Sequence, residues 1–480
     1  MKKIGPIIVI GIFLLSVFGT VLSFGYQSPL NHCSLKDEYD MAIIAPEMFS
    51  DALQPLIDHK NSVGIETTLK TVESIYDEYE GRDQAEQIKY FIKDAIESHL
   101  IKYVLLVGGK EKLPVRYVTI HSTNASVIIV PDERKSCISK FIQSMNSDRD
   151  FISDLYYADI YNQDGSYCSW DSNDNNLFGE MNNQVSIDIV DLYPDVYVGR
   201  ILCQSPSDVE IVVNKIIQYE TTANRETWFN NIILCGGDTH PLFIEELFLL
   251  PLVFGNDSRI AWEGEYFCNE VEQCLNDFQA KKIYASSLLG IQADKLTTDN
   301  INSAINDGAG FLLFALHGDT NRLATHFPFT NRWLPSDGYY ISEIEKLSNN
   351  DKLPIAVFSA CLCGDFDSVE SPIAWEIVQH KNGGAIASFA LTTEGLVWPT
   401  TISSKTLAGH LTMSVFETYS QSVDIAGEIW SEAIVRYLDD EWSWSFNEQW
   451  GYGYFNYLTL EEWILLGDPS LKIGGYGENL

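Results

Sequence analysis

The sequence predicts an α/β protein made of two α/β subdomains, each with a mainly parallel sheet flanked by helices. In both halves of the chain, short apolar runs of strand length alternate with longer stretches whose apolar residues recur every three or four positions. The repeated order of strand, helix and strand favours parallel pairing, because parallel strands need a crossover connection between them.

The first half, residues 26–222, is predicted as the N-terminal subdomain. Its strands are predicted at 41–45, 65–69, 103–107 and 196–201. Its helices are predicted near 47–61, around the apolar face that runs from Ile88 to Ile96, and at 207–220. Residues 120–185 are rich in Asn, Asp and Ser and lack periodicity, so they indicate a long polar insertion.

The second half, residues 225–480, repeats the alternation after a polar link at 221–228. Its strands are predicted at 231–235, 282–285, 311–316, 355–360 and 384–390. A helix between the last two strands has Ser371 as its expected cap, Pro372 in its first turn and 382–384 as its end. Two further helices are predicted near 402–419 and 424–438.

The N-terminus has the pattern of a secretory signal peptide, predicted over residues 1–25. Lys2 and Lys3 precede an almost unbroken apolar run from Ile4 to Leu22, and the small residue Ser23 follows. The alternative is a retained membrane anchor, because the run approaches spanning length. The prediction is therefore a secreted or cell-surface protein, with membrane contact only if this segment is retained.

Charge and cysteine content limit the partners and the redox chemistry. Among 480 residues, 67 acids against 31 bases give a net charge of −36, which argues against a nucleic-acid partner because phosphate repels such a surface. The chain has nine cysteines. Export permits disulfides, and the odd count leaves at least one thiol unpaired within the chain.

Two strands of the second half end at reactive side chains. The run 311–316 leads into His317-Gly318, and the run 355–360 leads into Cys361. Ligands of open α/β sheets bind at the carboxyl ends of strands, and a thiol beside an imidazole is the minimum pair for a cysteine nucleophile. A lone strand-end cysteine or histidine usually has a packing role, but the two together favour catalysis. The N–H groups of Gly318 and Cys361 are the candidate oxyanion donors.

The chain resembles the gingipain family of cysteine endopeptidases, peptidase family C25, which has the caspase–haemoglobinase fold. The resemblance covers residues 41–473. Besides His317-Gly318, the motifs that carry it are Asp154-Leu155-Tyr156-Tyr157-Ala158, Trp170-Asp171-Ser172-Asn173, Phe178-Gly179-Glu180, Val198-Gly199-Arg200, Ala360-Cys361-Leu362-Cys363-Gly364-Asp365-Phe366 and Leu466-Gly467-Asp468-Pro469-Ser470-Leu471. Leu316, Asp319 and Cys363 depart from the Gly, Ser and Asn that are usual in the family at these positions.

The resemblance implies a caspase-like catalytic subdomain with Cys361 as nucleophile and His317 as general base. An acid that orients the histidine is expected at the end of the first strand of this subdomain, where Asp238 stands in place of the family's glutamate. The alternative for Asp238 is a turn residue after Gly236-Gly237. Cys363 is either a competing nucleophile or the partner of a neighbouring thiol in a strained or regulatory pair.

The same resemblance suggests substrate-binding and metal-binding residues. Glu246, together with Glu245, is the candidate acid for a basic P1 side chain, with an exposed helix acid as the alternative. Thr392 and Trp398 are expected in a pocket wall, and a core aromatic is the alternative for Trp398.

Calcium is the one cofactor predicted, and no organic cofactor is expected. Asp171, Asn173, Asn175 and Glu180 offer alternating oxygen ligands, which suit this hard cation. An Asx-rich turn without metal is the alternative.

The sequence therefore predicts a secreted, calcium-stabilised cysteine endopeptidase that acts on protein or peptide substrates through an acyl-enzyme. One alternative is a transpeptidase or sortase-like enzyme, in which an amine accepts the acyl group. The other is a non-catalytic, calcium-binding surface protein with the same fold.

Overall fold

The computed structural model describes residues 38–121, 148–182, 185–239, 262–289, 293–398, 400–449 and 453–477. These residues belong to one compact unit. The predicted signal segment, Glu246 and residues 122–147 and 183–184 of the predicted insertion lie outside the described ranges. Within those ranges, no helix combines the length and the apolar character needed to cross a bilayer.

Eleven of the described strands form one sheet. They are β1 (Met41–Ala45), β2 (Thr67–Thr71), β3 (Tyr103–Val107), β7 (Tyr197–Ile201), β8 (Asn231–Gly236), β9 (Gln279–Tyr284), β10 (Asp294–Lys295), β11 (Phe311–Ala315), β15 (Ile355–Ser359), β16 (Ala387–Leu391) and β17 (Trp463–Leu466). Their order across the sheet is β10-β9-β8-β11-β15-β16-β17-β7-β3-β1-β2. The predicted α/β class is confirmed, but the sheet is continuous across both halves of the chain.

Two small sheets lie outside this order. The first contains β4 (Tyr117–His121), β5 (Arg149–Ile152) and β6 (Met181–Asn182), and the second contains β12 (His317–Asp319), β13 (Arg322–His326) and β14 (Trp333–Tyr340). In the first, β5 and β6 belong to the predicted polar insertion, and β4 leads into it. The second directly follows the strand that leads to His317.

The described helices flank the sheet. They are α1 (Ser50–Ser62), α2 (Val72–Glu78), α3 (Gln84–His99), α4 (Pro206–Thr222), α5 (Glu263–Cys274), α6 (Thr298–Asp307), α7 (Ile341–Ile344), α8 (Ile373–Gln379), α9 (Leu407–Ser420), α10 (Ala426–Leu438), α11 (Glu441–Gln449) and α12 (Tyr454–Glu461). Local sequence explains several starts. Asp83 accepts the backbone N–H of Glu86 at α3, and Ser205 and Asp208 form a capping box at α4.

The direction of β17 determines where a site can form. Neighbouring strands in the large sheet are parallel except β16 and β17, which are antiparallel. Because β17 is parallel to β7, the strands of the first half run opposite to β8–β11, β15 and β16 of the second half. The carboxyl ends of β8, β11 and β15 therefore open together at one edge, away from those of β1, β3 and β7.

Some predicted elements differ from the observed ones. Ser371 does not cap α8; its hydroxyl accepts a hydrogen bond from the Gln379 side chain, and Pro372 is the N-cap residue. The strand β17 was not predicted, although its sequence is apolar, because it directly follows α12 without a turn signal. The helices α5 and α6 and the sheet β12-β13-β14 were also missed.

The closing motif around Asp468 is held by a buried ion network. Lys60 of α1 lies 2.7 Å from Asp468 and 2.8 Å from Glu220 of α4, and all three side chains are fully buried. Burial alone would lower the pKa of Lys60, but the carboxylates of Asp468 and Glu220 raise it above its ordinary value. The Ser470 hydroxyl also donates a hydrogen bond to the Asp468 carboxylate at 2.8 Å.

We expect Lys60→Met to lower the free energy of unfolding by about 3–5 kcal/mol, because it leaves two buried carboxylates without their cation. Chemical denaturation measures the change. The matched control is Lys282→Met, which breaks the partly exposed pair with Glu272 and should cost about 1 kcal/mol or less. Equal destabilisation by both variants would contradict the role of this network.

The cysteines of the described part of the chain are all free thiols. They are Cys168, Cys203, Cys235, Cys268, Cys274, Cys361 and Cys363. Cys33 and Cys137 lie outside the described ranges. The reduced state of these residues leaves Cys361 available as a thiol.

Candidate active site

The register of the sheet brings three strand ends together. Ala315 pairs with Ser359 on one side and with Gly236 on the other. The residues that follow these positions therefore leave the sheet side by side. These residues include His317 after β11, Cys361 after β15, and Asp238 and Thr239 after β8.

A cavity of about 290 Å³ opens at this edge. Thr239, Glu263, His317, Gly318, Cys361 and Gly395 are among the residues that line it. Apolar side chains such as Phe267 and Leu396 supply other parts of the wall. Both His317 and Cys361 thus face the same enclosed space, as a shared catalytic role requires.

A backbone carbonyl orients the ring of His317. Its Nε2 lies 2.7 Å from the Thr239 carbonyl oxygen. Because a carbonyl oxygen only accepts hydrogen bonds, Nε2 carries the proton, and in the neutral ring Nδ1 has the lone pair that can accept one. Burial lowers the pKa of His317 below its ordinary value, and the bond to Thr239 opposes this only in part.

Thr239 is in turn held by Glu263 at the start of α5. The Glu263 carboxylate accepts the Thr239 N–H at 3.2 Å and the Thr239 hydroxyl at 3.3 Å. Glu263 is buried. A buried carboxylate thus acts on the histidine through the backbone of Thr239.

Asp238 is buried next to Thr239, which links Glu263 to His317. Its carboxylate accepts the backbone N–H of Phe329 at 2.9 Å, and its backbone pairs with His326. These bonds join the end of β8 to β13. A direct role of Asp238 in orienting His317 stays a prediction, since the His317 ring donates to the carbonyl oxygen of the next residue, Thr239.

Two aromatic rings pack against His317. The ring centre of His326 lies 5.4 Å from that of His317, and Trp333 lies 5.6 Å from it. Burial and the neighbouring His317 lower the pKa of His326 to about 4. His326 is therefore neutral near pH 7, and it adds no charge beside the candidate base.

Gly318 packs directly against the turn that follows β15. A Cβ at this position would lie 2.5 Å from the Cys361 carbonyl oxygen and 2.5 Å from the Cys363 sulfur. Any side chain would push the turn away, so glycine is required for this close approach. Donation of the Gly318 N–H to an oxyanion stays a prediction.

The Cys361 thiol is protonated in the resting site. It donates to the Gly395 carbonyl oxygen at 3.2 Å. Burial raises its pKa to about 12, and the carboxylates of Glu462 and Glu394 add to this effect. The candidate pair is therefore a neutral thiol and a neutral imidazole, and proton transfer must accompany attack.

Arg149, in the predicted insertion, forms an ion pair with a residue of the cavity wall. Arg149 of β5 pairs with Glu394, which lines the cavity. Glu462 is fully buried next to Gly395, and its pKa is raised well above the ordinary value, first by burial and then by Glu394, although Arg149 opposes the rise. Arg149 thus offsets negative charge near Cys361.

The predicted substrate-binding residues are placed differently. Thr392 is buried and donates to the Ile152 carbonyl oxygen at 2.6 Å, and Trp398 donates from its indole to Asn447 at 2.9 Å. Neither belongs to the described wall of the cavity, although Val397 does. Glu246 lies outside the described residues. Substrate contacts by these three residues stay predictions.

The four predicted calcium ligands meet in one loop. Asp171 accepts the backbone N–H groups of Asn175 and Asn176, each at 3.0 Å. Glu180 accepts the side-chain amides of Asn173 at 2.9 Å and Asn175 at 2.7 Å. The loop is rich in hydrogen bonds of the kind found in Asx turns.

As arranged, these side chains do not fit a calcium ion. The side-chain oxygens of Asn173 and Asn175 already accept backbone N–H groups, so the N–H₂ ends face Glu180. Among the described residues, no group of three or more His, Cys, Asp or Glu side chains is arranged to hold a metal. Calcium binding here stays a prediction.

A family model described as peptidase family C25 matches residues 34–474. The chain belongs to peptidase family C25. Gingipain R2 of Porphyromonas gingivalis (strain ATCC BAA-308 / W83) is 22% identical over 339 residues, which cover 69% of this chain and 33% of the relative. Gingipain R1 of Porphyromonas gingivalis is 22% identical over 334 residues, which cover 68% of this chain and 24% of the relative. The chain spans a third or less of the length of these curated relatives.

Solved structures show the same fold. The complex of Porphyromonas gingivalis RgpB pro- and mature domains has a TM-score of 0.59 at 19% identity, covering 90% of this chain and 79% of that chain. The Arg-specific cysteine proteinase gingipain R (RGPB) has a TM-score of 0.59 at 17% identity, covering 93% and 80%. This C25 chain thus shares the caspase-like fold of these structures.

Sequence reasoning missed Thr239, Glu263 and Gly395. Thr239 directly follows Asp238, so its place at the end of β8 was the available signal. Every residue has a backbone carbonyl, however, so the residue type of Thr239 could not indicate a contact with His317. Glu263 and Gly395 enter the site from α5 and from the segment after β16. No motif or spacing in the C25 chain connects these positions to His317 or Cys361.

We expect Glu263→Gln to lower kcat roughly 10-fold to 100-fold with little change in KM, because Thr239 and then His317 lose their fixed orientation. Steady-state kinetics on a cleavable peptide measures both constants. The matched control is Glu265→Gln on the same helix, whose carboxylate accepts Ser286 instead. An equal loss in both variants, or a lower Tm in Glu263→Gln alone, would assign Glu263 a merely structural role.

Proposed function

We propose that this C25 chain is a secreted cysteine endopeptidase that cleaves protein or peptide substrates through an acyl-enzyme on Cys361. One observation carries the proposal: His317 and Cys361 line the same cavity, and His317 is held by Thr239 through Nε2. That bond leaves Nδ1 as the acceptor of a proton from the thiol.

The reaction follows from the neutral resting pair. Nδ1 of His317 takes the Cys361 proton as the sulfur attacks the peptide carbonyl carbon, which forms a tetrahedral oxyanion. The backbone N–H groups of Gly318 and Cys361 are the proposed donors to that oxyanion. His317 then protonates the leaving amine, and water releases the acyl group in a second step with the same base.

The pKa of His317 predicts the acid limb of the pH profile. The base must be neutral, and burial lowers its pKa. We therefore expect kcat/KM to fall only below about pH 6.5, the ordinary pKa of histidine. Initial rates from acidic to neutral pH measure the limb. A midpoint clearly above that value would contradict a buried neutral base.

Activity on a peptide library tests the proposal itself, with Cys361→Ala as the control for contaminating peptidases. We expect cleavage by the native chain and none by the variant. The absence of cleavage across the library in folded protein would favour the non-catalytic surface protein. The cleavage sites also reveal the P1 preference.

The transpeptidase alternative shares the acyl-enzyme step and differs only in the acceptor. Addition of a small primary amine to the cleavage reaction separates the two. Hydrolysis as the main outcome supports the peptidase, whereas an amide product that replaces the acid supports the transpeptidase.

Calcium is also a proposal, because its binding would require the amides of Asn173 and Asn175 to turn their oxygens towards Glu180. Thermal unfolding with calcium and with chelator tests it. A higher Tm with calcium, abolished in Glu180→Gln, supports the site, and equal Tm values contradict it.

A further inference from the structure

A second thiol lies beside the candidate nucleophile. Cys363 is fully buried, and its sulfur, like the Cys361 carbonyl oxygen, would lie 2.5 Å from a Cβ placed on Gly318. The two thiols are separated by one residue, in the sequence Cys-Leu-Cys at 361–363.

The backbone of the turn keeps the Cα atoms of the two cysteines close enough for a disulfide to span. Residues 361–364 form a turn, and Leu362 adopts a left-handed conformation with φ of 59°. Residues two apart are separated by at most roughly 7 Å between Cα atoms, and a turn shortens that distance. Disulfides span Cα separations of about 4.4–6.8 Å.

The polar contacts that hold the Cys361 and Cys363 sulfurs in place are weak. Cys361 donates to Gly395 at 3.2 Å, and Cys363 lies 4.0 Å from the Asp319 carbonyl oxygen. Cys361 lines the cavity, whereas Cys363 is buried behind it. A small oxidant therefore reaches Cys361 first, and Cys363 then meets the oxidised sulfur from inside the protein.

We propose that Cys361 and Cys363 form a reversible disulfide after a hydroperoxide oxidises Cys361, which switches the nucleophile off and protects it. The inference rests on the proposed function, because the switch matters only if Cys361 is the nucleophile.

The chemistry balances with hydrogen peroxide as the oxidant. The Cys361 sulfur attacks one peroxide oxygen, the O–O bond breaks, and the departing hydroxide takes the thiol proton as one water, which leaves a sulfenic acid on Cys361. The Cys363 sulfur then attacks the sulfenic sulfur, and hydroxide leaves with the Cys363 proton as a second water. Two thiols together lose two electrons, and the peroxide is reduced by two.

Peptide mass mapping after peroxide treatment tests the proposal on the full chain. We expect one peptide that contains both cysteines and is lighter by two hydrogens, and we expect dithiothreitol to restore the mass and the lost activity. In Cys363→Ser the crosslink is absent, and Cys361 proceeds to sulfinic acid, which dithiothreitol does not reverse.

Cys203→Ser is the matched control, because it removes a buried thiol far along the chain from this turn; it should behave like the native protein. Separate thiols or sulfinic acids at 361 and 363 in the native chain would overturn the proposal. So would equal recovery of activity in the native chain and Cys363→Ser. The mass readout needs no catalysis, so a crosslink in an inactive protein would overturn the proposed function instead.

Discussion

Cys361→Ala should abolish peptide cleavage, with a fall in kcat of roughly 10⁴-fold or more. Attack on the carbonyl carbon requires the sulfur, and alanine offers no group that can form an acyl-enzyme. The substitution is small and lies at the cavity wall, so we expect the Tm to stay near that of the native chain. Progress curves at high enzyme concentration measure the residual rate.

Cys363→Ser is the companion of this experiment, because it tests which thiol of the pair is the nucleophile. Cys363 is buried behind the cavity, so its loss should leave most of the cleavage activity. If Cys363→Ser were inactive and Cys361→Ala active, the roles of the two thiols would be exchanged.

His317→Ala should reduce kcat by roughly 10²–10⁴-fold, the range that general acid–base catalysis contributes. The effect arises because the pKa of Cys361 is raised to about 12, so the thiolate is scarce at neutral pH unless a base takes the proton. Steady-state rates measure the loss, and it should shrink as the pH rises towards the pKa of the thiol.

The matched control for His317→Ala is His380→Gln, since His380 lies at the end of α8 and bonds to the Leu347 carbonyl oxygen at 2.9 Å. It should retain activity. A pH-independent loss in His317→Ala, or a comparable loss in the control, would show that His317 does not act as the base.

The sequence predicted the elements that local pattern controls. The strands β1, β3, β11 and β15 are continuous apolar runs, and the structure places them within a residue or so of the predicted bounds. The positions of His317 and Cys361 at neighbouring strand ends follow from the same runs, because parallel strands in register deliver their next residues to one edge.

The sequence could not predict which strands pair when they lie far apart along the chain. The sequence predicted two subdomains, each with its own sheet. In the structure one sheet runs through both halves, because β17 pairs with β16 on one side and with β7 on the other. The Thr239 and Glu263 relay depends on a carbonyl and on the start of α5, neither of which has a local signal. The four residues of the predicted calcium loop lie together, but the sequence pattern could not reveal the direction of the Asn173 and Asn175 amides.

The proposed mechanism depends on Cys361 as the nucleophile of this C25 chain. A peptidyl probe with a thiol-directed electrophile tests it most directly, with peptide mapping to locate the label. We expect a single labelled site at Cys361 in folded protein, lost in Cys361→Ala and labelled much more slowly in His317→Ala. No label at Cys361, or a label at Cys363 instead, would contradict it.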